Sequence, residues 1–77
     1  MDWQRAVLDA ARRLCRRKGT TVFRWIDLID EELERIIHDT GSDGATPAQT
    51  MSRILQNLRN QGLVEFVDNR GTYRLLR

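Results

Sequence analysis

The sequence has too few of the residues from which cross-links, metal sites and catalytic groups are usually built. Cys15 is the only cysteine and His38 the only histidine among 77 residues. They cannot supply a disulfide, a zinc site or a Cys/His catalytic arrangement. No set of nucleophile, base and orienting group can be assembled either, so we expect a non-enzymatic chain without cofactor or metal.

Long apolar runs are also missing. No stretch approaches the roughly 18 apolar residues that a membrane-spanning helix requires, and the N-terminal segment is basic and amphipathic, unlike a signal peptide. Hydrophobic residues make up 40% and charged residues 31% of the sequence, which is typical of a globular domain. We therefore expect one small domain over residues 1–77, intracellular and associated with the nucleoid.

Positive and negative charges are unevenly spread, although the net charge is only +2. Residues 1–24 carry seven basic and two acidic side chains, residues 25–44 one and seven, and residues 45–77 five and two. Phosphates would be attracted to the first and last of these segments and repelled by the middle one. The acidic segment is interpreted as solvated surface or as a contact for a basic partner domain.

Apolar periodicity predicts three helices. The first runs from about Asp2, its N-cap, to Lys18, with Gly19 as its stop. The second ends near Thr40, with a predicted buried stripe of Ile26, Ile29, Leu33, Ile36 and Ile37 and a predicted solvated side of Asp27, Asp30, Glu31, Glu32 and Glu34. The third begins at the capping sequence Thr46-Pro47-Ala48-Gln49, ends at Gly62, and is predicted to bury Met51, Ile54, Leu55 and Leu58.

Three β-rich stretches accompany these helices, at residues 20–23, 63–67 and 72–76. The last two are joined by a turn over residues 68–71 and predict a hairpin. An isolated hairpin is marginal in water, so we expect residues 20–23 to supply its third strand. The predicted class is α+β, a winged helix-turn-helix in the order α-β-α-α-β-β with a small antiparallel sheet.

The exposed face of the third helix is mostly uncharged and rich in hydrogen-bonding groups. Amide side chains can pair with adenine and arginine with guanine in the major groove of double-stranded DNA, and the first turns of such a helix approach the bases. The alternative is a neutral solvated surface. The predicted base-reading residues are Ala45, Thr46, Ala48, Gln49, Thr50, Ser52, Arg53 and Gln56.

Residues outside that face are candidates for contacts with the DNA backbone. Phosphates are bound by arginine, lysine and amide side chains and by helix N-termini. The predicted backbone contacts are Lys18, Arg24, Asn57, Asn69, Arg70 and Arg74. The remaining arginines of the first helix either join them or are solvated. Trp25 either packs on the sheet or stacks on a base, Cys15 is expected in the core and His38 on the surface.

The C-terminal part of the chain resembles a known family. The run LQNLRNQGLVEF at residues 55–66 and the run RGTYRL at residues 70–75 resemble the C-terminal winged-helix domain of the DpnI-type, Dam-replacing restriction endonucleases. The resemblance implies a domain that reads a short palindrome, such as GATC, whose adenine is methylated on its amino group. In that family a separate nuclease domain cuts the DNA, and this chain has no room for one.

A reader of methylated adenine needs an apolar contact for the methyl group in the major groove. The small side chains of Ala45, Thr46, Ala48 and Thr50 at the start of the third helix are candidates for that contact. Two other classes share every local feature of the sequence. They are a winged-helix transcriptional regulator without methyl preference and a winged-helix module that binds another protein.

Overall fold

A computed structural model of the chain describes residues 2–41, 47–68 and 70–76. Its helices are α1 (Trp3–Lys18), α2 (Trp25–Thr40) and α3 (Pro47–Asn60), and its strands are β1 (Val22–Arg24), β2 (Val64–Phe66) and β3 (Thr72–Leu75). The predicted α+β class and the predicted order of elements are confirmed. Within the described ranges, no helix is long and apolar enough to cross a membrane.

The ends of the helices follow the predicted signals. The Asp2 side chain accepts a hydrogen bond from the Arg5 backbone N–H at 2.7 Å, which satisfies one of the free donors at the start of α1. Pro47 is the first residue of α3, as predicted, whereas the capping role of Thr46 lies outside the described residues. After α3, the Leu63 N–H donates to the Leu58 carbonyl at 3.0 Å, and this hydrogen bond closes the last turn.

The three strands form one antiparallel sheet in the order β1-β3-β2. As predicted, β1 adds to the hairpin of β2 and β3, but it begins two residues later than predicted. The reason is that the Thr20 N–H donates to the Cys15 carbonyl at 3.0 Å, so that this residue still belongs to the end of α1. The prediction of residues 20–23 as the strand was wrong at its start and too short by one residue at its end.

An aromatic ladder crosses the sheet. Tyr73 on the central strand lies directly opposite Phe23 on one side and Phe66 on the other. The ring centroids of Phe23 and Tyr73 are 5.5 Å apart, and those of Phe66 and Tyr73 are 5.0 Å apart. The Arg59 guanidinium carbon of α3 lies 4.4 Å from the Phe66 ring centroid. These contacts tie all three strands and the end of α3 together.

The core lies between the helices and one face of the sheet. The predicted buried face of α3 is confirmed, with Met51 and Leu55 fully buried, and α1 contributes the fully buried Val7 and Leu14. Cys15 is also buried, as expected, and burial raises the pKa of its thiol. His38 is exposed, which confirms its assignment to the surface.

The prediction for α2 was wrong in two places. Its buried residues are Leu28, Glu32 and Ile36, whereas Ile26 of the predicted stripe is 40% exposed. Glu32, predicted to be solvated, is only 4% exposed. Glu32 can be buried because it accepts hydrogen bonds from Arg13 Nε at 2.9 Å and from Arg17 Nη1 at 3.1 Å, and a buried carboxylate needs such partners.

Candidate nucleic-acid interface

Three basic side chains of α1, those of Arg13, Arg17 and Lys18, form ion pairs with carboxylates of α2. Besides the bonds to Glu32, the Arg17 guanidinium lies 3.0 Å from the Glu31 carboxylate, and Lys18 Nζ lies 3.3 Å from Glu31 and 3.8 Å from Asp27. Hydrogen bonds from Arg17 and Lys18 lower the pKa of Glu31. Much of the opposite charge of the first two segments of the sequence is therefore neutralised where α1 packs against α2. Lys18 was predicted to contact phosphate, but it forms ion pairs with two carboxylates of α2 instead.

Other arginines keep their charge unpaired within the described part of the chain. Arg16, Arg24, Arg53 and Arg70 are exposed, and none of the four forms an ion pair with a residue that the structure describes. Three of them are on the elements predicted to bind DNA, at the start of α2, on α3 and in the turn of the hairpin. Arg74, the fourth predicted arginine on these elements, pairs with Glu65 across the hairpin.

The exposed face of α3 brings several predicted base-reading residues together. Gln49, Ser52, Arg53 and Gln56 are exposed, and their spacing of three or four residues places them on one side of the helix. The Ser52 hydroxyl donates to the Ala48 carbonyl at 3.1 Å.

Other predicted contacts differ in exposure or lie outside the described ranges. Ala48 and Thr50 are half-buried, and Asn57 is exposed. Ala45 and Thr46 lie outside the described residues.

The turn between β2 and β3 is held by Asp68. Its Oδ1 accepts hydrogen bonds from the Arg70 N–H at 2.8 Å and the Thr72 N–H at 3.3 Å, and these bonds lower the pKa of the carboxyl. Ionised Asp68 therefore supports the turn above the ordinary carboxyl pKa, and this support is lost as the pH falls through the lowered value. Asn69, predicted to contact the backbone, lies outside the described residues.

An open pocket of about 340 Å³ lies between α3, the start of α2 and the hairpin. Sequence periodicity did not reveal it, because its aromatic residues come from three separate elements. Only the position of Trp25 off the apolar stripe of α2 pointed towards it. The Trp25 Nε1 atom is buried and has no hydrogen-bond acceptor among the described residues. The pocket is lined by Trp25, Ser52, Phe66, Asp68, Gly71 and Tyr73.

Gly71 fixes the position of Trp25, and replacing it is expected to be costly. Its carbonyl accepts the Trp25 backbone N–H at 2.7 Å, its φ is +83°, and a Cβ there would lie 3.3 Å from the Trp25 Cβ. We expect Gly71→Ala to lower the free energy of unfolding by about 1–2 kcal/mol for the left-handed backbone and ~1 kcal/mol more for the close contact, as measured by urea denaturation.

The matched control is Gly62→Ala. Gly62 also has a positive φ, +76°, but a Cβ there would meet nothing within 4 Å. This variant should show the backbone cost alone. Equal losses of stability in the two alanine variants would contradict a tight packing of Gly71 on Trp25.

The chain has no significant match among protein-family models, curated proteins or solved structures. No group of three or more histidine, cysteine, aspartate or glutamate side chains among the described residues is arranged to hold a metal ion. The candidate interface is therefore defined by its own residues, which are unpaired arginines, amides on α3 and an aromatic pocket beside them.

Proposed function

We propose that the chain is a winged-helix domain that binds double-stranded DNA. In this proposal α3 enters the major groove and the β2–β3 hairpin is the wing, which lies against the DNA backbone. The proposal is carried by one observation: Arg53 on α3 and Arg70 on the hairpin are exposed and form no ion pair with a residue that the structure describes, whereas Arg13 and Arg17 of α1 are neutralised by the carboxylates of α2. A polyanion is attracted to the surface that carries Arg53 and Arg70.

The residues divide between base reading and backbone contacts. Arg53 is suited to a bidentate contact with guanine, and Gln49 and Gln56 to contacts with adenine. Arg24 and Arg70 are suited to phosphates, which position the protein without reading the sequence. Lys18 and Arg74 would first have to leave their carboxylate partners, so they contribute less to affinity.

We further propose that the domain reads adenine methylation in a GATC-like site. This follows from the resemblance of residues 55–66 and 70–75 to the winged-helix domain of DpnI-type restriction endonucleases. Ala48 and Thr50 are half-buried at the start of α3, and in this proposal their methyl groups contact the methyl group of the adenine. The domain acts by binding alone, and a nuclease or other effector would be supplied by another domain or protein.

Affinity for three versions of one short duplex tests this proposal. The duplex contains GATC, unmethylated, methylated on one strand or methylated on both, at one near-physiological salt concentration. Each methyl group is expected to increase affinity about fourfold, because burying one methyl contributes ~0.8 kcal/mol. Changing Thr50 to serine, which removes only a methyl group, should reduce the preference and leave binding of the unmethylated duplex unchanged.

The other outcomes separate the competing classes. Equal affinity for all three duplexes would contradict methyl reading and leave a winged-helix regulator of another specificity. An absence of binding, or binding that does not weaken with added salt, would contradict a phosphate-dependent interface. It would favour a protein-interaction module.

A further inference from the structure

The pocket beside α3 is not used by any of the contacts proposed above. Three aromatic side chains line it, those of Trp25, Phe66 and Tyr73. They come from the start of α2 and from two neighbouring strands, and Phe66 remains 43% exposed. Aromatic faces at the edge of a DNA-binding surface offer stacking area to a base but little to a phosphate.

Trp25, which lines the pocket, also has an unused hydrogen-bond donor beneath the pocket surface. The indole N–H of Trp25 is buried and has no acceptor in the described part of the chain. Buried donors are nearly always paired, because leaving one unpaired costs free energy. An acceptor atom on a bound ligand would remove this cost after a small shift of the Trp25 ring that brings its N–H to the pocket surface. The ring nitrogens and carbonyl oxygens of nucleobases are acceptors of this kind.

The surroundings of the pocket favour a ligand that carries negative charge outside it. Three of the lining residues are next in the chain to an exposed arginine that forms no ion pair with any described residue: Arg24 precedes Trp25, Arg53 follows Ser52, and Arg70 precedes Gly71. Among the residues that the structure describes, the lining includes a carboxylate, Asp68, and no cationic side chain. An anion would therefore be repelled from the pocket and attracted to its surroundings.

We propose that this pocket binds a single nucleobase that has left the base stack of the DNA. The base contacts the aromatic side chains, a small shift of the Trp25 ring lets it accept a hydrogen bond from the indole N–H, and its phosphates face Arg24 and Arg70. The proposal rests on the proposed function in taking DNA as the source of the base. It adds that the domain prefers DNA with an unpaired or extrahelical nucleotide beside its site.

The binding of a free nucleotide tests the pocket without duplex DNA. Deoxyadenosine monophosphate is titrated into the wild-type protein while the indole N–H signals of both tryptophans are followed by NMR. The signal that is missing in Trp25→Phe should shift and saturate in roughly the millimolar range. The Trp3 signal should not move, because Trp3 lines a different groove between α1 and α3. Deoxyribose 5-phosphate, which has no base, should leave both signals unchanged.

Three results would overturn the proposal. They are an unmoved Trp25 signal, equal shifts of both indole signals, and equal shifts with the base-free phosphate.

A duplex with one extrahelical adenosine tests the source of the base. We expect it to bind at least fivefold more tightly than the same duplex fully paired, and Trp25→Ala should remove the difference while paired duplex is still bound. Equal affinity for the two duplexes would overturn the preference for a displaced base.

The two proposals fail in distinguishable ways. If the nucleotide binds but no duplex does, DNA recognition fails and the pocket stands. If duplexes bind but the nucleotide does not, only the pocket fails.

Discussion

Glu32→Gln is expected to lower the free energy of unfolding by about 2–3 kcal/mol. The carboxylate is 4% exposed and accepts hydrogen bonds from both Arg13 and Arg17. Removing one member of a buried ion pair costs about 3–5 kcal/mol, because the remaining charge stays without a partner. The side chains of Arg13 and Arg17 are 28% and 48% exposed, so water offsets part of this cost. Urea denaturation measures the change.

Glu31→Gln is the matched control for this prediction. Glu31 lies next in the chain and also pairs with Arg17, but its side chain is 37% exposed. Water and salt screen an exposed ion pair, which then contributes little to stability, so this variant should be nearly as stable as the wild type. If both variants lost the same small amount, the buried contacts of Glu32 would not hold α1 and α2 together.

Arg53→Ala should weaken binding to the preferred duplex by about 1–3 kcal/mol, or roughly 5- to 150-fold. Arg53 is exposed in the middle of α3 and forms no ion pair with any described residue. A base contact is specific, so the loss should be larger for the preferred duplex than for an unrelated one. Fluorescence anisotropy with the two duplexes at one salt concentration measures both losses.

Arg35→Ala provides the control for charge. It removes the same charge from an exposed side chain, but Arg35 lies on the acidic helix α2 and pairs with Asp39. Its affinity for DNA should change little. An equal loss in the two variants would mean that net charge, rather than a contact made by α3, determines the affinity. An equal loss on both duplexes in Arg53→Ala would assign Arg53 to phosphate.

The sequence predicted most of the fold because its helices and turns carry local signals. Asp2, Pro47 and Gly62 mark helix ends through backbone chemistry that involves only neighbouring residues. The stripes of α1 and α3 are regular because both helices bury mainly apolar side chains. The hairpin follows from two β-rich runs and a turn, and its need for a third strand is general to small sheets.

The wrong predictions concern residues whose burial or pairing depends on contacts with an element elsewhere in the chain. The burial of Glu32 depends on Arg13 and Arg17, which are 19 and 15 residues away in the chain. Apolar periodicity counts Ile26 as core and a glutamate as surface, so it misjudged which side of α2 is buried. The pairing of Lys18 with Glu31 was hidden for the same reason, whereas the pairing of Arg74 with Glu65 depends on the register of the hairpin.

The candidate site was predictable only as a set of residue types. The amides and Arg53 on α3 were identified from helical spacing, and the structure places them on the exposed face of that helix. The pocket was not identified from the sequence, because it depends on the strand register that places Phe66 opposite Tyr73 and on the contact of Gly71 with Trp25.

The aromatic ladder holds α3 and the β2–β3 hairpin, the two parts of the candidate interface, in one position relative to each other. A rotation of the hairpin relative to α3 would separate Arg59 from Phe66 and slide Phe66 off Tyr73. These contacts form when the chain folds, and they fix the distance between α3 and the hairpin. A partner that fits this spacing is bound by a surface that has already lost its internal freedom, so less entropy opposes association. If the partner is the DNA duplex proposed above, a duplex whose groove width does not match this spacing is expected to bind more weakly.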